Sequence, residues 1–128
     1  MSIQRIFPHH SPTPRGAYSP AVRAGDFIFV SGQGPVDPVT DKLSLGDVKH
    51  QTRLTLNNIQ TILQACGATL ADVVKCSVFL RDIAEFKHMN EVYAEFFPAD
   101  RPARTTVEAK FHQQEMLVEI DCIAYMPK

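Results

Sequence analysis

A chain of 128 residues with 45% apolar content and a formal net charge of −1 has the size and balance of one globular domain, expected over residues 1–128, and too little length for two. No basic run exceeds two residues, which argues against a nucleic-acid partner gripped through its phosphates. No apolar run approaches the roughly 20 residues that span a bilayer, and the polar, Pro-rich stretch from Met1 to Arg15 lacks a signal-peptide core; the expected setting is the cytoplasm, without a membrane partner.

From the N-terminus, Pro8 to Pro14 reads as extended chain, because Pro fixes φ and disfavours helix before it. Ala21–Ala24 and Phe27–Ser31 read as strands around a Gly25-Asp26 turn. Gly32 to Leu45 reads as loop, since it holds Gly34-Pro35, Asp37-Pro38 and Thr40-Asp41. A helix is expected from Asp47 to Cys66: Leu56, Ile59, Leu63 and Cys66 recur at helical spacing, and Gly67 suits the position past its end. Val73–Leu80 is β-branched and apolar, hence a strand, with Val74, Cys76, Val78 and Leu80 on one face and Lys75, Ser77 and Phe79 on the other. Asp82 opens a second helix with Glu85 three residues on, as in a capping box. Phe86, Met89, Tyr93 and Phe96 form its buried stripe and Pro98 stops it. Two strands close the chain, Arg104–Phe111 and Glu115–Tyr125. Cys66, Cys76 and Cys122 are an odd set without CxxC spacing and read as reduced core residues.

The order is ββαβαββ, with room for a further short N-terminal strand. That is an α+β protein: a single mixed sheet with two helices packed on one face. The opposite face, with Lys75, Ser77, Phe79 and Val107, is left wanting a cover, and self-association is the simplest one. Read as a hairpin turning at His112-Gln113, the last two strands set Thr106 across from Glu119 and Arg104 across from Asp121, with Arg104 diagonal to Glu119. An Arg is the natural fork for a small carboxylate, and a nearby Glu holds or deprotonates water. The competing reading of the same residues is a surface salt-bridge ladder.

Further segments tip that balance. Gly16-Ala17-Tyr18-Ser19-Pro20 precedes Phe29-Val30-Ser31-Gly32-Gln33-Gly34-Pro35-Val36-Asp37-Pro38. Gln51-Thr52, Asn57-Asn58-Ile59, Asp72-Val73-Val74-Lys75, Asn90-Glu91-Val92-Tyr93, Pro102-Ala103-Arg104 and Val118-Glu119-Ile120 follow. From about Tyr18 onward the chain strongly resembles the Rid family of reactive-intermediate deaminases, also called YjgF-like proteins. The resemblance implies a chorismate-mutase-like fold and a homotrimer with sites in clefts between subunits. It also implies hydrolysis of 2-imino acids and their 2-enamine tautomers to 2-keto acids and ammonia, without metal or organic cofactor.

Carried onto this sequence, the resemblance makes Arg104 the clamp for the substrate carboxylate, with the backbone N–H of Thr106 as a second contact. Glu119 positions the attacking water and is expected to be ionised in the free site, burial and Arg104 pulling its pKa in opposite directions. Ser31 and Gly32 lie on a loop lining the pocket, and Tyr18 and Asn90 complete its walls. Departures cluster around that pocket: Thr106 stands where many members have Cys, Phe111–Glu115 replaces a Leu-Pro stretch, and Gly34 replaces an apolar residue. Arg104-Thr105-Thr106-Val107 also looks like the aminomuconate-deaminase branch, and a small-carboxylate-binding regulatory module would need the same cleft. His9, His10, His50, His88 and His112 show no metal-ligand spacing, and Gly32-Gln33-Gly34-Pro35 lacks the third Gly of a dinucleotide loop. No basic run supports an RNA-directed role.

Overall fold

Val73–Leu80 becomes an interior strand, one place in from the sheet's edge, and buries Val73, Cys76, Val78 and Leu80 on its helix-covered face. The computed structural model describes residues 2–128. Its strands are β1 (Ile3–Ile6), β2 (Ala21–Ala24), β3 (Phe27–Gln33), β4 (Val36–Asp37), β5 (Lys42–Leu43), β6 (Val73–Leu80), β7 (Ala103–Glu108) and β8 (Val118–Tyr125). Helix α1 (Val48–Ala65) lies between β5 and β6, and α2 (Phe86–Phe96) between β6 and β7. Six strands form one mixed sheet in the order β1-β2-β3-β8-β6-β7, with β4-β5 as a separate ribbon. Both helices pack on one face, burying Leu56, Ile59 and Met89 against Val78, Val118 and Ile120. The expected α+β layer is therefore present.

The local signals act as sequence chemistry dictates. Gly25 takes a positive φ of 61° in the two-residue turn joining β2 to β3, and Asp26 does not, as a type II′ hairpin requires. Asp47 caps α1 by accepting the His50 N–H at 2.9 Å. At the other end Gly67 has φ 81°, while its N–H reaches Gln64 O and that of Ala68 reaches Leu63 O, a Schellman closure. Two exposed ion pairs, Lys49–Glu91 at 2.6 Å and Arg53–Glu95 at 2.7 Å, tie α1 to α2 and add little stability.

Five expectations are corrected. The last two strands are not a hairpin: β7 pairs in parallel with β6, and β8 runs antiparallel on the other side of β6. Arg104 thus lies beside Cys76, not Asp121, and Glu119 lies beside Phe79, not Thr106. The physical reason is the β6–α2–β7 unit, since a crossover helix brings successive strands together in parallel. Second, 32–45 is not all loop: β3 continues through Gln33 and β4-β5 forms a ribbon, with the carbonyls of Gly34, just before it, and of Val36 accepting from the buried Asn58 amide. Third, Asp82 caps a 3₁₀ turn at Ile83–Glu85 by accepting from Ala84 N, and α2 starts only at Phe86. Glu85 turns to His88 instead of closing a capping box. Fourth, the register between β6 and β8 shifts between Val73 and Lys75, so Val73 is buried and Val74 is exposed. Fifth, Met89 and Tyr93 are buried as expected, but Phe86 is exposed and Phe97 is buried beyond the helix end.

The sheet face away from the helices is bare, as expected. Phe27, Phe29, Val107 and Tyr125 are 42–46% exposed there, with Lys75, Ser77 and Phe79 half-buried among them. Among the described residues no helix is long and apolar enough to cross a membrane.

Candidate active site

Arg104 projects from β7 toward the helices. Its Nη1 donates to Asn90 Oδ1 on α2 at 2.8 Å. Its guanidinium carbon lies 4.6 Å from the Tyr93 ring centroid and 5.3 Å from that of Phe86, within the range of cation–π attraction. Among the described residues it has no carboxylate partner in a salt bridge. The guanidinium is thus held flat by one amide and two rings, with donors to spare. It opens on a cleft shared with Ala94, Arg101 and Pro102. Thr106 follows on the same strand face. Among the described residues its buried hydroxyl has no hydrogen-bond partner, and β7 is an edge strand, so part of its backbone is unpaired.

Glu119 projects the other way. Val118, Ile120 and Cys122 face the core, so alternation sends Glu119 and Asp121 to the bare face. Arg104 and Glu119 are therefore on opposite faces of the sheet with β6 between their strands, and within one chain they do not form a joint site. Glu119 lines a cavity of about 290 Å³ with Tyr18, Gly32, Gln33 and Phe111 among its walls. Burial first, then the neighbouring Asp121 carboxylate, holds the Glu119 carboxyl above its ordinary pKa. Arg104 is not among its neighbours, so the opposing pull expected from the sequence is missing in the single chain and the raising effects stand alone.

The remaining expected residues divide between the two halves. Gly32 belongs with Glu119: a Cβ there would sit 2.5 Å from Glu119 Oε2 and 2.9 Å from its Cδ. Only a residue without a side chain lets the carboxylate lie against the strand. Tyr18 also lines this cavity and its hydroxyl accepts the Arg15 N–H at 3.1 Å. Ser31 does not line it; its Oγ donates to Ser19 O at 2.6 Å and its N–H to Pro20 O at 3.0 Å, which ties the Tyr18 loop to β3. Both Ser31 and Gly32 are in strand β3, not in a loop, where pairing with β8 is irregular between Val30 and Gln33. Asn90 belongs with Arg104.

Sequence reasoning missed the residues that shape the Glu119 cavity. Arg81 donates from Nε to Met116 O at 2.7 Å and from Nη2 to Gln113 O at 3.0 Å, with its guanidinium 5.3 Å from the Phe111 ring. Gln51 on α1 accepts from Leu117 N at 2.8 Å and donates to Glu115 O at 3.1 Å. Together they fix the 109–117 segment as a wall. A signal was present for Gln51, which with Thr52 is among the segments that carry the resemblance. Among the described residues no cluster of three or more His, Cys, Asp or Glu gathers as metal ligands. Cys76 and Cys122 are buried free thiols whose pKa values burial raises.

A mixed sheet under two helices, with an oriented guanidinium at its edge and a raised carboxyl on its bare face, defines an α+β protein with a cleft on each face of the sheet. Residues 8–126 match the family described as Endoribonuclease L-PSP. The chain belongs to that family, the Rid or YjgF-like proteins. It is 48% identical over 120 residues to a RutC family protein of Pyrococcus horikoshii, covering 94% of this chain and 95% of that one. It is 40% identical over 126 residues to the 3-aminoacrylate deaminase RutC of Acinetobacter baylyi, covering 98% and 100%. The crystal structure of RidA from the Antarctic bacterium Psychrobacter sp. superposes with a TM-score of 0.91 at 36% identity, covering 96% and 99%.

Proposed function

We propose that this protein is a deaminase that hydrolyses reactive 2-imino and 2-enamino acids to 2-keto acids and ammonia. The observation that carries the reading is the split of the site. An oriented guanidinium with no salt-bridged carboxylate among the described residues and a carboxyl with raised pKa stand on opposite faces of one sheet. Each is half of what the reaction needs. The two halves complete one another where the β7 edge of one subunit meets the bare face of the next, in a homotrimer with its sites at subunit boundaries. The exposed Phe27, Phe29, Val107 and Tyr125 supply apolar surface for such a contact. The deaminase names carried by relatives support the same reaction class.

The chemistry asks little of the protein. An imine carbon is already electrophilic, so neither a metal nor an organic cofactor is needed to activate it. Arg104 of one subunit takes the substrate carboxylate as a fork, aided by an unpaired β7 backbone N–H at Thr106. Glu119 of the neighbour accepts a proton from water as the water's oxygen bonds to the imine carbon. The same carboxyl returns that proton to the nitrogen to give a carbinolamine, then takes the hydroxyl proton and passes it to the nitrogen, so that the C–N bond breaks and ammonia leaves as the carbonyl forms. A carboxyl raised above its ordinary range suits both steps, because catalytic proton transfer is most efficient when pKa approaches working pH. Tyr18 and Gly32 shape the space around the reacting carbon.

The test generates imino acid in situ from an amino acid with an oxidase or dehydratase and follows keto-acid release. Acceleration by this protein is expected. No acceleration, together with retained keto-acid binding, would show a regulatory carboxylate-binding module instead. A panel from small to bulky imino acids, with 2-aminomuconate included, ranks the accepted side chains.

A further inference from the structure

The Glu119 cavity has further polar side chains that the deaminase reaction does not use. Arg15 and His112 line it together with Glu119, and Phe111 and Met116 are among its apolar walls. We infer that this cavity selects imino acids whose side chain ends in a carboxylate, with Arg15 as the specificity-determining residue and His112 as a second donor. The inference rests on the deaminase reading of Glu119 and adds the substrate class.

Three observations carry it. First, Arg15 is anchored yet unspent. One nitrogen, Nη2, donates to the backbone carbonyl of Asp41, and no carboxylate forms a salt bridge with the guanidinium among the described residues. The Asp41 carboxylate accepts the Thr13 N–H at 2.9 Å; that bond first, and the nearby Arg15 charge after it, hold its pKa below the ordinary value, without a salt bridge between the two side chains. The remaining guanidinium donors are available to an anion. Second, the segment bearing Arg15 is fixed on both sides. Its own N–H donates to the Tyr18 hydroxyl at 3.1 Å, and the Tyr18 loop is tied to β3 through Ser31. Asp41 holds its carbonyl toward Arg15 from a left-handed conformation, φ 61°, which Asp tolerates better than most residues.

Third, the cation lies in the same cavity as a carboxylate. An apolar side chain would leave Arg15 and His112 without a use, whereas a terminal carboxylate would meet both. The groove beyond them adds Lys42, with Glu115 as the one opposing charge. At about 290 Å³ the cavity has room for a side chain of a few carbons. The substrate would then be gripped by an arginine at each end, Arg104 on the carboxylate next to the imine and Arg15 on the distal one.

The experiment compares 2-iminoglutarate with 2-iminobutanoate, generated in situ from L-glutamate and L-2-aminobutanoate by an amino-acid oxidase. The reading is the ratio of kcat/KM for the acidic over the neutral substrate. Wild type is expected to favour the acidic one, and Arg15→Ala to lower the ratio about tenfold or more, as loss of a charge-assisted hydrogen bond does. Arg15→Lys should restore part of it, and His112→Ala should lower it by less. Stabilisation of melting by 2-oxoglutarate over 2-oxobutanoate should shrink in the same variants. If Arg15→Ala melts early on its own, Arg15→Gln and His112→Ala carry the same ratio. A neutral preference in wild type, or an unchanged ratio in Arg15→Ala, overturns this inference and leaves the deaminase reading standing. Failure of wild type to accelerate either hydrolysis removes both.

Discussion

Arg104 is held by side chains, whereas Glu119 is held by backbone. The guanidinium is set by an amide and two rings from a single helix, α2. The carboxyl rests on the bare Cα of Gly32 and is walled by two segments that other residues tie down: Ser31 holds the Tyr18 loop, while Arg81 and Gln51 hold 109–117. A clamp built from one helix is indifferent to loop sequence. A cavity built from loops changes shape whenever they do. The departures from the family pattern at Gly34 and at Phe111–Glu115 fall on the second half, and Gly34 meets Met116 there: a Cβ on it would sit 2.7 Å from Met116 Cε. On the proposed reading the carboxylate clamp is thus separated in the fold from the cavity that holds both the base and the variable walls.

The most severe way to break this comparison removes one group from each half. Arg104→Ala and Glu119→Gln are each expected to abolish most turnover of imino acid, since a bidentate clamp contains two charge-assisted hydrogen bonds at about 1.5–3 kcal/mol apiece. The two inactive variants, unfolded and refolded together, should regain activity. Random assortment leaves about a quarter of subunit boundaries with both wild-type groups. Steady-state rates of the mixture against each variant alone check this. A mixture as dead as its components would mean the halves do not meet between subunits.

Gly32→Ala strikes the Glu119 half alone. The added methyl demands that the carboxylate move, and overpacking of this kind costs about 1–3 kcal/mol. Turnover should fall by one to two orders of magnitude on the order of that energy, while keto-acid binding at Arg104, read by calorimetry, persists. Asn90→Ala strikes the other half and more gently. It removes one hydrogen bond from a guanidinium that two rings still hold, so KM should rise about tenfold with kcat little changed. Equal effects of the two substitutions on kcat would erase the distinction between the halves.

The sequence made the parts of this arrangement visible but not their neighbours. The helix from Asp47 and the strand Val73–Leu80 were readable because a cap, a Schellman glycine and an apolar run act locally. The pairing of β7 and β8 was not, because adjacency along the chain favours a hairpin and pairing energies alone do not reveal an inserted strand. Two signs pointed the right way: His112-Gln113 is a poor tight turn, and strand–helix–strand from Val73 to Glu108 is a parallel crossover unit. Arg104 and Glu119 were legible as residue types, and their separation was not. Gln51 and Asn58, part of the family resemblance, prove to be buried side chains that hold the cavity's loops.

The subtlest distinction between the halves is electrostatic. Burial and Asp121 raise the Glu119 carboxyl above its ordinary value of 4.5. In the folded chain it therefore keeps its proton at pH values where the unfolded chain has lost it. Stability falls as pH rises through that interval and is untouched below it. Glu119→Gln removes the titration, so its melting temperature should match wild type in acid and exceed it at neutral pH. Turnover by wild type should rise with pH across the same interval, since the base must be ionised to take the water proton. The position of that limb measures how closely the two halves approach in the assembly. A guanidinium brought directly onto Glu119 would pull the limb back to or below the ordinary carboxylate range. One occupied instead with the substrate carboxylate leaves Glu119 to water and the limb high. The second outcome is expected, because a carboxylate neutralised by a direct ion pair would compete with the substrate for its own clamp.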